Sequence, residues 1–258
     1  MHTLENIERN ISPSRQLAGK EGEGLVDILA FGAHPDDVEL GCSGTIFKHA
    51  VDGKKIGIID LTRGELGTRG TAAIRKKEAE AAAKILGASF RENLNMEDGF
   101  FRNDKENQLK VIQKIRLYKP EVVLVNAPID RHPDHGRGAQ LVSDACYLSG
   151  LPKIKTLLKG KSQKAWRPKA VYHYIQFNPH KPDFVVDISM QFESKMEAIR
   201  AFGSQFYNPH SKEPETLIST PEFFSLVKKR CEEHGKQVSA RYGEGFLFGT
   251  LHWKYLLI

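Results

Sequence analysis

Three short apolar runs constrain the fold of this 258-residue chain more than any other feature. Leu25–Ala33 (LVDILAFGA), Lys55–Thr62 (KIGIIDLT) and Glu121–Ala127 (EVVLVNA) are mostly apolar rather than alternating. A strand that is apolar on both faces has to be covered on both faces, as in a parallel sheet sandwiched by helices. The intervening segments have helical character. Gly44–Val51 is stopped by Asp52-Gly53, Arg75–Leu86 by Gly87, and Leu109–Tyr118 by Pro120; His135–Leu148 follows the third strand. Strands alternating with helices through right-handed crossovers predict a Rossmann-like α/β fold, an open, mainly parallel sheet with helices on both faces. In the last third, Val171–Gln176 and Phe184–Ile188 read as strands, Phe192–Phe202 and Thr220–Glu233 as helices, and Tyr207–Glu215 as a polar loop. No linker marks a second domain. The expected organisation is a polar N-terminal extension (1–24) followed by a single domain (25–258).

Composition removes several classes of function. No run of eighteen apolar residues exists, so no transmembrane helix and no membrane partner are expected. Met1–Gly24 lacks the apolar core of a secretory signal, and a cytoplasmic location is the resulting expectation. Cys42, Cys146 and Cys231 are odd in number and widely spaced, which supports neither a disulfide framework nor a cysteine zinc knuckle. The formal charge of +6 raises the question of nucleic acid. Much of the excess sits in Lys153–Lys169, which has seven Lys and Arg, no acid and no basic-aromatic interleaving, and reads as a solvated loop. A nucleotide-binding module needs a Gly-rich turn after a strand; the first such turn here, AHPDDVELGCSG, places two acids where phosphate would sit. A small-molecule site remains the leading class.

Two loops carry the chemistry. His34-Pro35-Asp36-Asp37 follows the first apolar strand, and Asp130-Arg131-His132-Pro133-Asp134-His135 follows the third. In open α/β sheets, ligands bind beyond the carboxyl ends of the strands, so two loops about a hundred residues apart are expected to share one crevice. Histidine and carboxylate are good zinc ligands, and a catalytic zinc site uses three protein ligands with one position left open. Two histidines and one aspartate supply that set. The other of the two adjacent aspartates is then available to take a proton from water. A lone His-Pro or Asp-Asp pair is more often a turn or a helix cap. The repetition of histidine and acid after two buried strands is what turn chemistry does not require.

AHPDDVELG and HPDHGRGA resemble the two signature motifs of the LmbE/PIG-L deacetylases, zinc enzymes that remove acetyl from N-acetylglucosamine-type substrates. The likeness runs from about Asp27 to Phe248. TRGELGTRGT, NAPIDRHPDH, KPDFVVDIS, KMEAIRAFGSQF and RYGEGF are similar to the branch that deacetylates N-acetylglucosaminyl malate in bacillithiol biosynthesis. The resemblance implies His34, Asp37 and His135 as ligands of one Zn2+, Asp36 as general base, His132 as a stabiliser of the transition state and Asp134 as the residue orienting His132. It also implies Arg75 and Arg131 facing the malate carboxylates, which suit a guanidinium fork. A homo-oligomer, trimer or hexamer, is a further implication. Two histidines and a carboxylate also suit Fe2+, Co2+ or Mn2+. The alternatives are a deacetylase for an inositol conjugate or a chitin fragment, a non-catalytic metal binder, and the nucleotide-binding module.

Overall fold

A computed structural model describes residues 25–249; the N-terminal extension and the last nine residues lie outside that range. The chain runs β1 (Ile28–Gly32), α1 (Asp37–Val51), β2 (Ile56–Thr62), α2 (Ala72–Ile85), β3 (Phe90–Met96), α3 (Lys105–Tyr118), β4 (Val122–Asn126) and α4 (Pro133–Ser149). A small hairpin of β5 (Leu157–Leu158) and β6 (Lys161–Ser162) follows, then β7 (Ala170–Tyr174), β8 (Phe184–Asp187), α5 (Phe192–Arg200), α6 (Pro221–Lys236) and β9 (Gly243–Phe248). Seven strands form one sheet in the order β3-β2-β1-β4-β7-β9-β8. The first five of these are parallel, and β9 is antiparallel to both neighbours. The mainly parallel α/β architecture expected from the apolar runs is therefore the one adopted.

The buried strands explain their own sequences. Ile28 and Ala30 of β1 pack into a core with α1, α2, α5 and α6, while Leu29 and Phe31 pack on the other face with α3 and α4. Helix starts are capped where short polar side chains precede them: the Thr71 hydroxyl accepts from Ile74 N–H at 3.2 Å, and Asp104 Oδ1 from Asn107 N–H at 3.0 Å. The basic Lys153–Lys169 stretch lies on the surface and folds around the β5–β6 hairpin. Among the described residues, no helix is long and apolar enough to cross a membrane.

Three departures from the sequence reading have physical causes. Strand β3 (FRENLNM) was not visible because it is a polar edge strand that places Arg91 and Glu92 in ion pairs. Strand β9 was hidden by Gly243 and Gly245, where a Cβ would come within 2.5 Å of Val185 and 2.8 Å of the His234 ring. Helix α1 starts at Asp37, not Gly44. It is interrupted at Cys42 (φ −144°, ψ 17°), so the helical pattern legible from Gly44 onward is only its second segment.

Candidate active site

Strand β1 lies between β2 and β4, so the chain winds outward in one direction from β1 and resumes on its other side at β4. The crevice at that switch point is where an open α/β sheet offers a site. The loop leaving β1 brings His34 to Asp37 there, and the loop leaving β4 brings Asp130 to His135. The two loops line one cavity of about 230 Å³, together with residues that include Arg75, Asp98, Gln176 and Phe177.

Both carboxylate oxygens of Asp37 face a histidine there. Asp37 Oδ1 lies 3.1 Å from His135 Nε2, and Asp37 Oδ2 lies 3.6 Å from His34 Nδ1. Zinc bonds of ~2.0–2.2 Å arranged tetrahedrally put neighbouring donors roughly 3.3–3.6 Å apart, close to these two spacings, which run to different oxygens of Asp37. The far side of each imidazole is fixed by an acid. His34 Nε2 is 3.0 Å from Asp98 Oδ1, and His135 Nδ1 is 2.8 Å from Asp130 Oδ2. A proton held toward each acid leaves the inward nitrogen with its lone pair, the tautomer a metal needs. Asp37 is held too: Gln176 Nε2 donates to Oδ1 at 2.8 Å, while Asn126 Nδ2 and the His34 amide donate to Oδ2 at 3.1 and 2.9 Å. Among the described residues, His34 groups with His132 and His135, and also with Asp98 and Asp134, at spacings that could hold a metal ion.

The charge balance points the same way. Asp36, Asp37, Asp98, Asp134 and His135 are all buried within this small volume. Burial alone would lower the pKa of His135, but Asp37 and Asp130 outweigh it and raise it to about 9. Burial likewise opposes protonation of His34, yet Asp134, Asp37 and Asp98 raise its pKa well above the usual value. The His135 pKa is near 6.5 in an unfolded chain, so its proton stabilises the metal-free fold below about pH 6.5. That contribution is lost as pH rises through 9. Calorimetry in chelator should show the melting temperature falling between pH 6.5 and 9, with a loss of up to about 3 kcal/mol. Stabilisation by added Zn2+ should grow over the same interval. A flat profile would refute this coupling.

Asp36 adjoins the convergent atoms in an uncommon backbone conformation, φ 123° and ψ −21°. Arg75 holds it there. Nη2 donates to Asp36 Oδ2 at 3.0 Å and to Pro35 O at 2.6 Å, and Nη1 donates to Gly64 O at 3.1 Å. Gly64 has φ 63°, and a Cβ there would lie 1.9 Å from Arg75 Nη1, so glycine is what lets the guanidinium in. Burial raises the Asp36 pKa to about 7; Arg75 works against this shift and Asp37 adds to it.

Two expected roles change. Arg75 lines the cavity but is only 4% exposed, and its fork is engaged by Asp36 and two carbonyls. It is thus an anchor for Asp36 and not a free fork for a carboxylate ligand. Asp134 does not direct its carboxylate at His132. Its oxygens accept from Arg137 Nη1 at 2.6 Å and Gly99 N–H at 2.8 Å, and Oδ2 is 3.4 Å from His34 Nε2. The Asp134 backbone N–H, not its side chain, meets His132 Nδ1, at 3.2 Å. Arg131 is exposed at the rim, with Cζ 4.7 Å from the Phe177 ring centroid. His180, beyond β7, bonds the Ile129 carbonyl and lines a neighbouring cavity.

Asp98, Asp130, Asn126 and Gln176 are site residues that sequence reasoning passed over. Asp130 stood inside a quoted motif. Asn126 ends β4 and Gln176 lies two residues beyond β7, so the strand-end rule could have found both. Asp98 follows β3, whose polar sequence concealed the strand.

The model of the PIG-L family, described as GlcNAc-PI de-N-acetylase, matches residues 29–146, which include both motif loops. The chain is 29% identical over 233 residues to the diacetylchitobiose deacetylase of Thermococcus kodakarensis, covering 86% of this chain and 82% of that one. It is 37% identical over 133 residues to the uncharacterized deacetylase YaiS of Escherichia coli, covering 49% of this chain and 70% of YaiS. The crystal structure of a conserved Thermus thermophilus protein superposes with a TM-score of 0.78 at 34% identity, covering 90% of this chain and 98% of that one. Fold, paired His-Asp loops and relatives converge: this chain belongs to the PIG-L/LmbE family of deacetylases.

Proposed function

We propose that the protein is a zinc-dependent N-deacetylase of N-acetylglucosamine conjugates, with His34, Asp37 and His135 as the metal ligands. The observation that carries this reading is the convergence of His34 Nδ1, Asp37 and His135 Nε2, with outer nitrogens tied to Asp98 and Asp130, beside a carboxylate whose pKa is about 7. A bound divalent cation supplies Lewis acidity, which polarises a carbonyl and makes water a stronger acid.

The chain's own groups do the rest. Arg75 holds Asp36 Oδ2, leaving Oδ1 to receive a proton from the attacking water. His132 Nδ1 accepts from the Asp134 amide, so its proton sits on Nε2. A neutral His132 can thus donate Nε2–H to the oxyanion that forms as water adds to the acetamide carbon. Asp36 then gives its proton to the departing nitrogen as the C–N bond breaks. Water and the amide are consumed; acetate and the free amine leave.

Within the amino-sugar class, N-acetylglucosaminyl malate is the substrate we favour. Arg131 is the exposed guanidinium at the rim, in a position to take a carboxylate of the aglycone. Metal-quantified protein should release acetate from the malate conjugate faster than from diacetylchitobiose, an inositol conjugate or free N-acetylglucosamine. Arg131→Ala should lower kcat/KM for the conjugate by about 10–100-fold and change free N-acetylglucosamine little. An equal loss on both sugars removes the malate assignment, and no acetate from any of them removes the deacetylase reading.

A further inference from the structure

Helix α1 begins with the turn that carries Asp37, and a kink at Cys42 sets that turn apart from the rest of the helix. In a regular helix the Gly44 and Thr45 amides would donate to the carbonyls of residues 40 and 41. Instead they donate to Glu244 Oε1 and Oε2, at 2.9 and 2.7 Å. The Thr45 hydroxyl adds a third bond to Oε2 at 2.6 Å. The carbonyl of Leu40 is taken by Lys195 Nζ at 2.9 Å, and that of Glu39 by the same ammonium at 3.0 Å. Lys195 and Glu244 pair at 2.7 Å and are 1% and 2% exposed.

A buried ion pair is therefore inserted into the hydrogen-bond ladder. Its cation caps the carbonyl end of the first turn, and its anion caps the amide end of the second segment, each matching the local helix dipole. A single turn does not hold itself together in isolation. The first turn, Asp37–Gly41, is gripped from outside. Lys195 holds its carbonyls, and Arg91, bound to Asp60, holds the Glu39 carboxylate at 2.6 Å. The Tyr174 ring packs where a Cβ on Gly41 would be, 2.1 Å away.

We propose that Lys195 and Glu244 are positioning residues for the metal centre, a buried ion pair that replaces the missing helix bonds at Cys42 and so sets the placement of Asp37 and Asp36. The inference rests on the metal-ligand reading above. Lys195 lies on α5 and Glu244 on β9, and neither lines the cavity.

The test compares wild type with Lys195→Met, Glu244→Gln and a control, Arg116→Met. Arg116 is equally buried and holds the carbonyls of Ser149, Leu151 and Ile154, away from the site. Co2+ affinity is read by chelator competition, and ligand geometry by the cobalt visible spectrum. The pair variants should bind Co2+ about 10–100-fold more weakly, as when outer partners of ligands are lost, with a changed spectrum. With Co2+ saturating, kcat should fall at least about tenfold while KM moves less than about threefold. Arg116→Met should lose melting temperature but keep wild-type affinity and spectrum. Glu244→Gln keeps an acceptor oxygen for one of the two amides and carries the test where Lys195→Met is recovered unfolded. Folded pair variants with wild-type affinity, spectrum and kcat overturn the proposal, as does an equal affinity loss in Arg116→Met. Wild type that binds no Co2+ sinks the metal-ligand reading and this inference with it.

Discussion

Asp36→Asn is expected to keep its metal and lose about 10²–10⁴-fold in kcat, the range that one positioned general base contributes. Asparagine preserves the size of the side chain and leaves an oxygen for Arg75 Nη2, so the anchor and the backbone conformation persist. It has no lone pair basic enough to take a proton from water. Metal content by atomic absorption, together with steady-state rates on an acetylated amino sugar, checks both halves. Undiminished turnover would move the base elsewhere.

His135→Ala should have the opposite signature, with metal lost first and activity lost because of it. The Nε2 donor disappears, Asp37 Oδ1 loses its 3.1 Å partner, and the buried Asp130 carboxylate is left without His135 Nδ1. Purified protein should contain far less than one zinc per chain, and turnover should fall to background at limiting metal. Stoichiometric zinc in this variant would remove His135 from the ligand set. The two substitutions divide the site cleanly, since one keeps the cation without the proton acceptor and the other keeps the acceptor without the cation.

The sequence made legible what depends on local pattern. The runs that became β1, β2 and β4 are apolar on both faces, and their burial on both sides follows from that. The paired His-Asp loops were legible because histidine and acid recurred after two of those strands. What stayed hidden depends on contacts across the sheet. Asp98 approaches His34 from the far side of β2, after an edge strand whose side chains are polar because they serve ion pairs. Gln176 reaches Asp37 from β7, 139 residues away. The roles of Arg75 and Asp134 shifted for a related reason. A guanidinium or a carboxylate in a motif announces its charge, but its partner is fixed only when Gly64, Arg137 and Gly99 fold against it.

The backbone at Asp36 also bears on how such a chain can change over generations. A φ of 123° favours glycine, and the short side chains of aspartate and asparagine tolerate positive φ better than most. Position 36 therefore filters replacements by shape before chemistry is tested. The substitutions that pass most easily, asparagine and glycine, are each one nucleotide from an aspartate codon, and both delete the proposed base. On the proposed function, drift at this position leads toward folded proteins that retain the proposed cation site and have lost turnover. A silent member of this fold would be recognised by an intact His34-Asp37-His135 set beside a neutral residue at 36.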